Sequence, residues 1–228
     1  MNPMDWLNDL FSNPAIQRAT LPAIWETLQM VGISGFFTIL LGLPLGVVLF
    51  VTQPGAMAEN RVLNRVLGLI VNITRSFPYA ILMISVGPLA ILLVGTKIGP
   101  VAASGSLSLA AIPFFARLVE TALRDVHSGK LDAAHAMGST RMQSITKVLI
   151  PEALPTIVSA ITTTVVTLVG YSAMAGLIGG GGLGRLAYNY GHQRYEPAVM
   201  VFLVIILILI VQLIQWIGDA VSRAVDHR

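Results

Sequence analysis

The sequence predicts an all-α integral membrane protein: a helix bundle of five transmembrane helices with a sizeable cytoplasmic loop between the third and fourth. Three observations carry this. Of 228 residues, 55% are apolar and only 11% charged, against about 25% charged in an ordinary soluble domain. The mean hydropathy is +0.78. Charge-free stretches recur along the chain, and about 20 apolar residues suffice for one helix to cross ~30 Å of hydrocarbon.

The same arithmetic excludes whole classes of function. Fourteen basic and eleven acidic side chains do not cover the surface of a soluble 24.3 kDa sphere. With no cysteine there is no disulfide scaffold, thiolate zinc site or iron–sulfur cluster. The four histidines lack metal-ligand spacing, so neither metal nor cofactor is expected. The net charge of +3 reads as membrane topology and not as nucleic-acid binding. Asp5, Asp9 and Glu26 near the start, without a compact basic segment, argue against a removable signal peptide.

Taken in order, the first span is Leu28 to Val51, the apolar core of a charge-free run from 27 to 58. Between Arg61 and Leu123 the chain is too long for one helix and fits two, about 62–90 and 101–123, with the turn at Gly95-Thr-Lys-Ile-Gly-Pro100. The fourth span is roughly Leu154 to Ile178, and the fifth is Pro197 to Gly218. Gly42-x-x-x-Gly46 in the first span permits close helix approach. Trp25 and Glu26 fit anchors at the membrane surface.

An odd number of spans puts the termini on opposite sides, and the basic residues choose between the two orientations. With the N-terminus outside, the inner segments hold Arg61, Arg65, Arg117, Arg124, Lys130, Arg141, Lys147, Arg223 and Arg228, and the outer ones Arg18, Lys97, Arg185 and Arg194. Nine against four favours an outside N-terminus and a cytoplasmic C-terminus. The expected organisation is an outer segment 1–23, a transmembrane domain 24–218 and a cytoplasmic tail 219–228.

Residues 124–150 then form the main cytoplasmic segment, read as two short helices. The first runs from about Gly129 to Met137, with Ser128 as N-cap and Asp132 in the first turn, where a carboxylate favours the helix dipole. Gly138 stops it in the left-handed conformation. Thr140 and Gln143 have capping-box spacing and open a second helix toward Leu149, and Pro151 enters the next span. Ala133, Ala134 and Ala136 leave a low-relief surface that suits another protein's groove.

These residues resemble a known family. Asp132-Ala133-Ala134-x-x-x-Gly138, nine residues, then Val148-Leu-Ile-Pro151 is similar to the E-A-A-x3-G-x9-I-x-L-P signature of bacterial ABC-importer permeases, with Asp132, Val148 and Ile150 as conservative departures. Trp25-Glu-Thr-Leu28, Asn72-x-x-Arg75-Ser-x-Pro78, Pro151-Glu-Ala-Leu-Pro155 and Gly170-Tyr-Ser-Ala-Met174, followed by Gly179 to Gly184, resemble the methionine-importer branch over about residues 24–218. The resemblance implies a homodimer in the bacterial inner membrane, two cytoplasmic ATPase subunits and an external substrate-binding lipoprotein. It also implies that Asp132, Ala133, Ala134, Gly138, Val148 and Pro151 belong to the element that docks on the ATPase.

Other features carry two readings each. Arg75 lies about 20 Å into its span if the helix starts near Arg61, where a lipid-facing arginine costs at least ~2.5–3.5 kcal/mol. It either lines the pathway and meets an anionic group such as an amino-acid carboxylate, or caps carbonyls freed near Pro78. Met174, beside Tyr171 and Ser172 at the outer end of the fourth span, either forms a closing ring or thioether contact in the pathway or packs in the core. Gly179 to Gly184 lacks the Lys and Ser/Thr of a phosphate loop and is expected to be a flexible outer connection. Asn72-Ile-Thr74 matches a glycosylation sequon but falls in a span.

The resemblance implies a translocation pathway, for methionine in both enantiomers, opened and closed by partner ATPases. An ABC permease for another small amino acid and an ion-driven carrier are the alternatives. Carriers usually show intramembrane carboxylates and an internal repeat; here Glu120, near the inner end of the third span, is the one acid in the span interiors, and no repeat is evident. No nucleophile–base set suggests an enzyme.

Overall fold

The computed structural model describes residues 15–226. Among them the regular structure is helical. A π-helical turn, Ala15–Ala19, leads into α1, Thr20–Val51. It is followed by α2, Arg61–Ser76, α3, Tyr79–Val94, and α4, Pro100–Arg124. The short α5, Ser128–Ala136, and α6, Arg141–Ser144, precede a π-helical turn, Ile145–Leu149, and α7, Ile150–Leu177. The chain closes with α8, Gly182–Leu186, a π-helical turn, Ala187–Gln193, and α9, Pro197–Val225. Among the described residues four helices are long and apolar enough to cross a membrane, and the bent pair α2–α3 makes a fifth span if counted as one.

Three boundaries differ from the sequence reading. The second span is broken, not continuous: α2 ends at Ser76, and Phe77 and Pro78 are extended, with ψ of 128° and 130°. The cause is local, because proline disfavours a helical conformation in the residue before it. The fourth span has no interruption at its entry, and the helix is continuous from Arg141 to Leu177. A proline ring clashes with the carbonyl four residues back, and the wide turn Ile145–Leu149 gives Pro151 that room. The fifth helix runs past Gly218 to Val225, so the tail 219–228 begins as helix. Asp5, Asp9, Arg228 and most of segment 1–23 lie outside the described residues.

The residues divide into two compact units, and four of the long helices contribute to both. One unit takes the chain up to Gly35, Pro78–Ser108 and Val165–Leu213; the other takes Phe36–Phe77, Leu109–Thr164 and Ile214 onward. In the second unit Phe115, Val119, Leu123, Leu149 and Ile157 form a buried cluster, with Leu131 and Ile145 packed on its edge. Gly42 and Gly46 explain how closely α1 meets α4. A Cβ at Gly42 would stand 2.8 Å from a Phe115 ring carbon, and one at Gly46 2.6 Å from the Ala116 carbonyl oxygen. Close approach is thus the role of the Gly42-x-x-x-Gly46 pair. Glu59, in the turn after α1, is held below the usual carboxylate range by the Gly55 N–H and by Arg61.

In the first unit Ala23, Leu183, Leu186, Val199 and Leu203 form a buried cluster. The glycine run is not a flexible connection. Gly182, Leu183, Gly184 and Leu186 are buried, and the Glu26 carboxylate accepts the Gly182 N–H at 2.6 Å. The Thr27 hydroxyl oxygen accepts the Leu183 N–H at 2.9 Å. The glycines are needed for contact and conformation together: Gly182 has φ +74°, and a Cβ there would lie 2.6 Å from Thr27 Oγ1.

Candidate functional site

The segment from His127 to Pro151 lies wholly in the second unit, and its turns are built from side-chain and backbone caps. His127, not Ser128, is the N-cap of α5, and its Nδ1 accepts the Gly129 N–H at 3.2 Å. Because the helix begins at Ser128, Asp132 falls beyond the first turn, which carries no acid. At the other end Gly138 has φ +80°. Its N–H bonds to His135 O at 2.9 Å, and the Ser139 N–H reaches back to Ala134 O at 3.1 Å. That paired pattern closes a helix through a left-handed residue, as the sequence predicts.

The second cap is equally complete. Thr140 Oγ1 accepts the Gln143 N–H at 3.3 Å, and the Thr140 N–H donates to Gln143 Oε1 at 2.8 Å. Ser139 and Ser144 hydroxyls meet at 2.7 Å. Lys130 pairs with Glu152, joining α5 to the first turn of α7.

The faces of α5 are now assigned. Ala134 is 2% exposed, and with Leu131 it forms the inner side of the helix. Asp132, Ala133, Ala136 and Gly138 are exposed. The low-relief surface therefore consists of Ala133 and Ala136, and Ala134 supports it from beneath. Two large apolar side chains that sequence reading passed over stand on the same segment: Met137 at 82% exposure and Met142 at 68%. The signal for Met137 was available, as it stands directly before the left-handed Gly138 where the helix ends. Val148 is half-buried, and Pro151 is exposed. Asp132 and His135 also border a groove of about 320 Å³ formed with Phe50, Gln53 and Met57.

Close by in the same unit, a buried carboxylate organises the ends of three helices. Glu120 is 3% exposed. It accepts from Gln53 Nε2 at 2.7 Å, Arg117 Nη1 at 2.5 Å and Arg124 Nη2 at 2.8 Å. Arg117 also donates to Asn72 Oδ1 at 2.8 Å. The Arg117, Glu120 and Arg124 spacing places all three on one face of α4, so this part was readable; the reach to Gln53 and Asn72 was not. Asn72 is committed to this network, consistent with discounting it as a glycosylation site.

The pathway candidates separate. In the first unit Tyr171 stacks on Tyr79, with ring centroids 4.7 Å apart and planes 5° from parallel. Ser172 is buried, and its hydroxyl donates to Val169 O at 2.7 Å. Met174 is 41% exposed, so it does not pack in the core of this chain. Arg75 belongs to the second unit, where its guanidinium lies 6.0 Å from the Phe114 ring centroid. Among the described residues no cluster of three or more His, Asp and Glu side chains forms a metal site.

Comparison with known proteins gives a consistent set of likenesses. Residues 42–227 match the family described as binding-protein-dependent transport system inner membrane component. A probable D-methionine transport system permease protein of Vibrio cholerae is 53% identical over 208 residues, covering 91% of this chain and 92% of that one. Its counterpart in Pasteurella multocida is 47% identical over 215 residues, covering 91% and 99%. A solved structure of the MetNI methionine ABC transporter in inward-facing conformations is 45% identical to this chain, covers all of both chains and superposes with a TM-score of 0.89.

Proposed function

We infer the role of this chain from one premise: it belongs to the family of binding-protein-dependent transport system inner membrane components. On that premise it is a permease subunit of an ATP-driven methionine importer, a multi-pass protein of the bacterial inner membrane that works as a homodimer. The observation that carries the substrate is the full-length likeness, at 45% identity, to the methionine transporter of known structure. The names of the relatives add the D-enantiomer to the substrates expected.

This chain moves substrate and does not hydrolyse ATP; hydrolysis falls to two partner ATPase subunits on the cytoplasmic side, and delivery to a substrate-binding lipoprotein outside. The transmembrane domain is 24–218, with the N-terminus outside and the C-terminus inside, a reading supported by the nine-to-four distribution of basic residues. Coupling falls to α5 and the break after it. Asp132, Ala133, Gly138 and the exposed Met137 and Met142 present the surface, Ala134 holds it to the core, and Val148 and Pro151 set the entry into α7. Met174 and Tyr171 are the gate candidates.

The test is uptake of labelled L- and D-methionine in cells lacking their own importer, with and without this chain alongside its ATPase and binding protein. Restored uptake of methionine is the expected result. Failure to restore either enantiomer, with the complex assembled, overturns the substrate.

A further inference from the structure

Helix α2 has three faces where a span buried between lipid and its own bundle needs two. Successive residues advance about 100° around a helix. Leu67 and Val71 form the packed face against Leu45, Leu49 and Ala116, and Asn64 on the same side donates to Leu49 O at 2.7 Å. Val62, Val66, Leu69, Ile70 and Ile73 form a second face that is apolar and exposed. Arg61, Arg65, Asn72, Arg75 and Ser76, all exposed, fall on a third together with the half-buried Gly68, and Asn72 there accepts from Arg117. This polar track runs the full length of the helix.

A helix lying flat on the membrane surface also separates polar from apolar faces. Here, however, the packed face is held by residues of two spans, α1 and α4, so α2 runs with the bundle. Its polar side then turns either to lipid, at a high cost for arginine, or to water. Within the track the charges are unequal. Arg61 pairs with Glu59, and Arg117 on the adjoining α4 is taken by Glu120 and Asn72. Among the described residues no carboxylate pairs with Arg75, whose neighbour is the face of Phe114 at 6.0 Å. Its guanidinium presents a planar fork of donors that matches a carboxylate in two bonds.

We propose that the polar track of α2 lines the aqueous translocation route and that Arg75 receives the carboxylate of the amino acid in transit. This rests on the importer reading above and adds a binding role for a named side chain of the permease itself.

The cysteine-free chain allows a direct test in the assembled complex in proteoliposomes. Single cysteines at Gly68 and Ser76 on the track, and at Leu69 and Ile73 on the apolar face, are treated with membrane-impermeant methanethiosulfonates. A Cβ at Gly68 meets nothing within 4 Å, so that substitution is accommodated. The track positions should react at least tenfold faster than the apolar pair, and equal rates overturn the lining role. At Ser76→Cys a negatively charged reagent should react several-fold faster than a positively charged one, with the preference abolished by Arg75→Gln. A preference unchanged by R75Q overturns the role of Arg75.

Uptake supplies the second arm. R75Q should lower methionine uptake tenfold or more while the permease still co-purifies with its ATPase, and Arg75→Lys should retain more uptake than R75Q. Wild-type uptake by R75Q overturns the carboxylate role. Absence of methionine uptake by the unsubstituted complex instead overturns the substrate assignment, and the labelling ratios then judge the track alone.

Discussion

Glu26 and Gly182 are joined by a hydrogen bond of 2.6 Å across 156 residues of chain. The carboxylate ends its helix turn facing the first N–H groups of α8, where unpaired donors and a positive dipole end favour an anion. Thr27, one residue on, takes the Leu183 N–H. Two successive side chains of α1 thus satisfy two successive buried amides.

Glu26→Ala should therefore cost about 1–3 kcal/mol, the usual range when a buried donor loses its partner. Thr27→Val should act on the same element with a smaller effect. Hydrogen exchange of the Gly182 and Leu183 amides is the measurement, and it should accelerate in both variants while amides of α4 keep their protection.

The glycine contacts predict opposite outcomes at two positions. Gly46→Ala puts a methyl 2.6 Å from a backbone oxygen, and such overpacking typically costs about 1–3 kcal/mol. Gly68→Ala meets no atom within 4 Å and should stabilise α2 by roughly 0.5–1 kcal/mol through backbone entropy alone. Thermal unfolding of the detergent-solubilised complex should move down for the first and slightly up for the second.

Glu120→Gln should destabilise the second unit by about 2 kcal/mol, because Arg117 and Arg124 lose a shared charged acceptor. A double-mutant cycle with Arg117→Gln should give a coupling energy within about 0.5–3 kcal/mol. A coupling near zero would show that the two residues contribute independently.

On the proposed coupling segment, burial separates two kinds of effect. Ala133→Glu and Met137→Glu change exposed positions and should lower recovery of the ATPase in pull-downs without lowering membrane insertion. Ala134→Glu buries a charge inside the chain and should reduce the yield of folded permease itself. Gly138→Val forces a β-branched residue to φ +80°, which left-handed sterics oppose, and should weaken ATPase binding through the elbow. Normal ATPase recovery by the first two variants would remove α5 from the docking surface.

Topology is tested by single cysteines at Ser128 and Thr96, both exposed in connecting segments. They should label from opposite membrane faces. Gly182 is unsuited to this purpose, since it is buried and left-handed.

The sequence made the spans legible because a charge-free run of sufficient length has one inexpensive environment. It also made the Gly138 stop and the Thr140–Gln143 box legible, since both are local and depend on residue type. The break at Phe77–Pro78 was signalled by its proline, but the apolar runs on either side of it, 66–71 and 80–94, together read as one span. What escaped was non-local or orientational. Nothing near Glu26 points to an amide 156 residues away, and that is why the glycine run read as flexible. Three alanines in a nine-residue helix look alike in sequence, and only its burial shows that Ala134 is the one turned inward. His127 displaced Ser128 as the cap because an imidazole nitrogen can accept from the amide two residues on, a role usually left to hydroxyls and short amides.

The elbow between α5 and α6 has a mechanical consequence. From Ala134 to Gln143 the turn is cross-braced by bonds from Gly138, Ser139, Thr140 and Gln143 and by the Ser139–Ser144 hydroxyl contact. A slack tether transmits only tension. A braced bracket transmits compression and torque as well, so on the proposed docking an ATPase seated on α5 would drive this permease in both halves of its cycle, pushing on one stroke and pulling on the other.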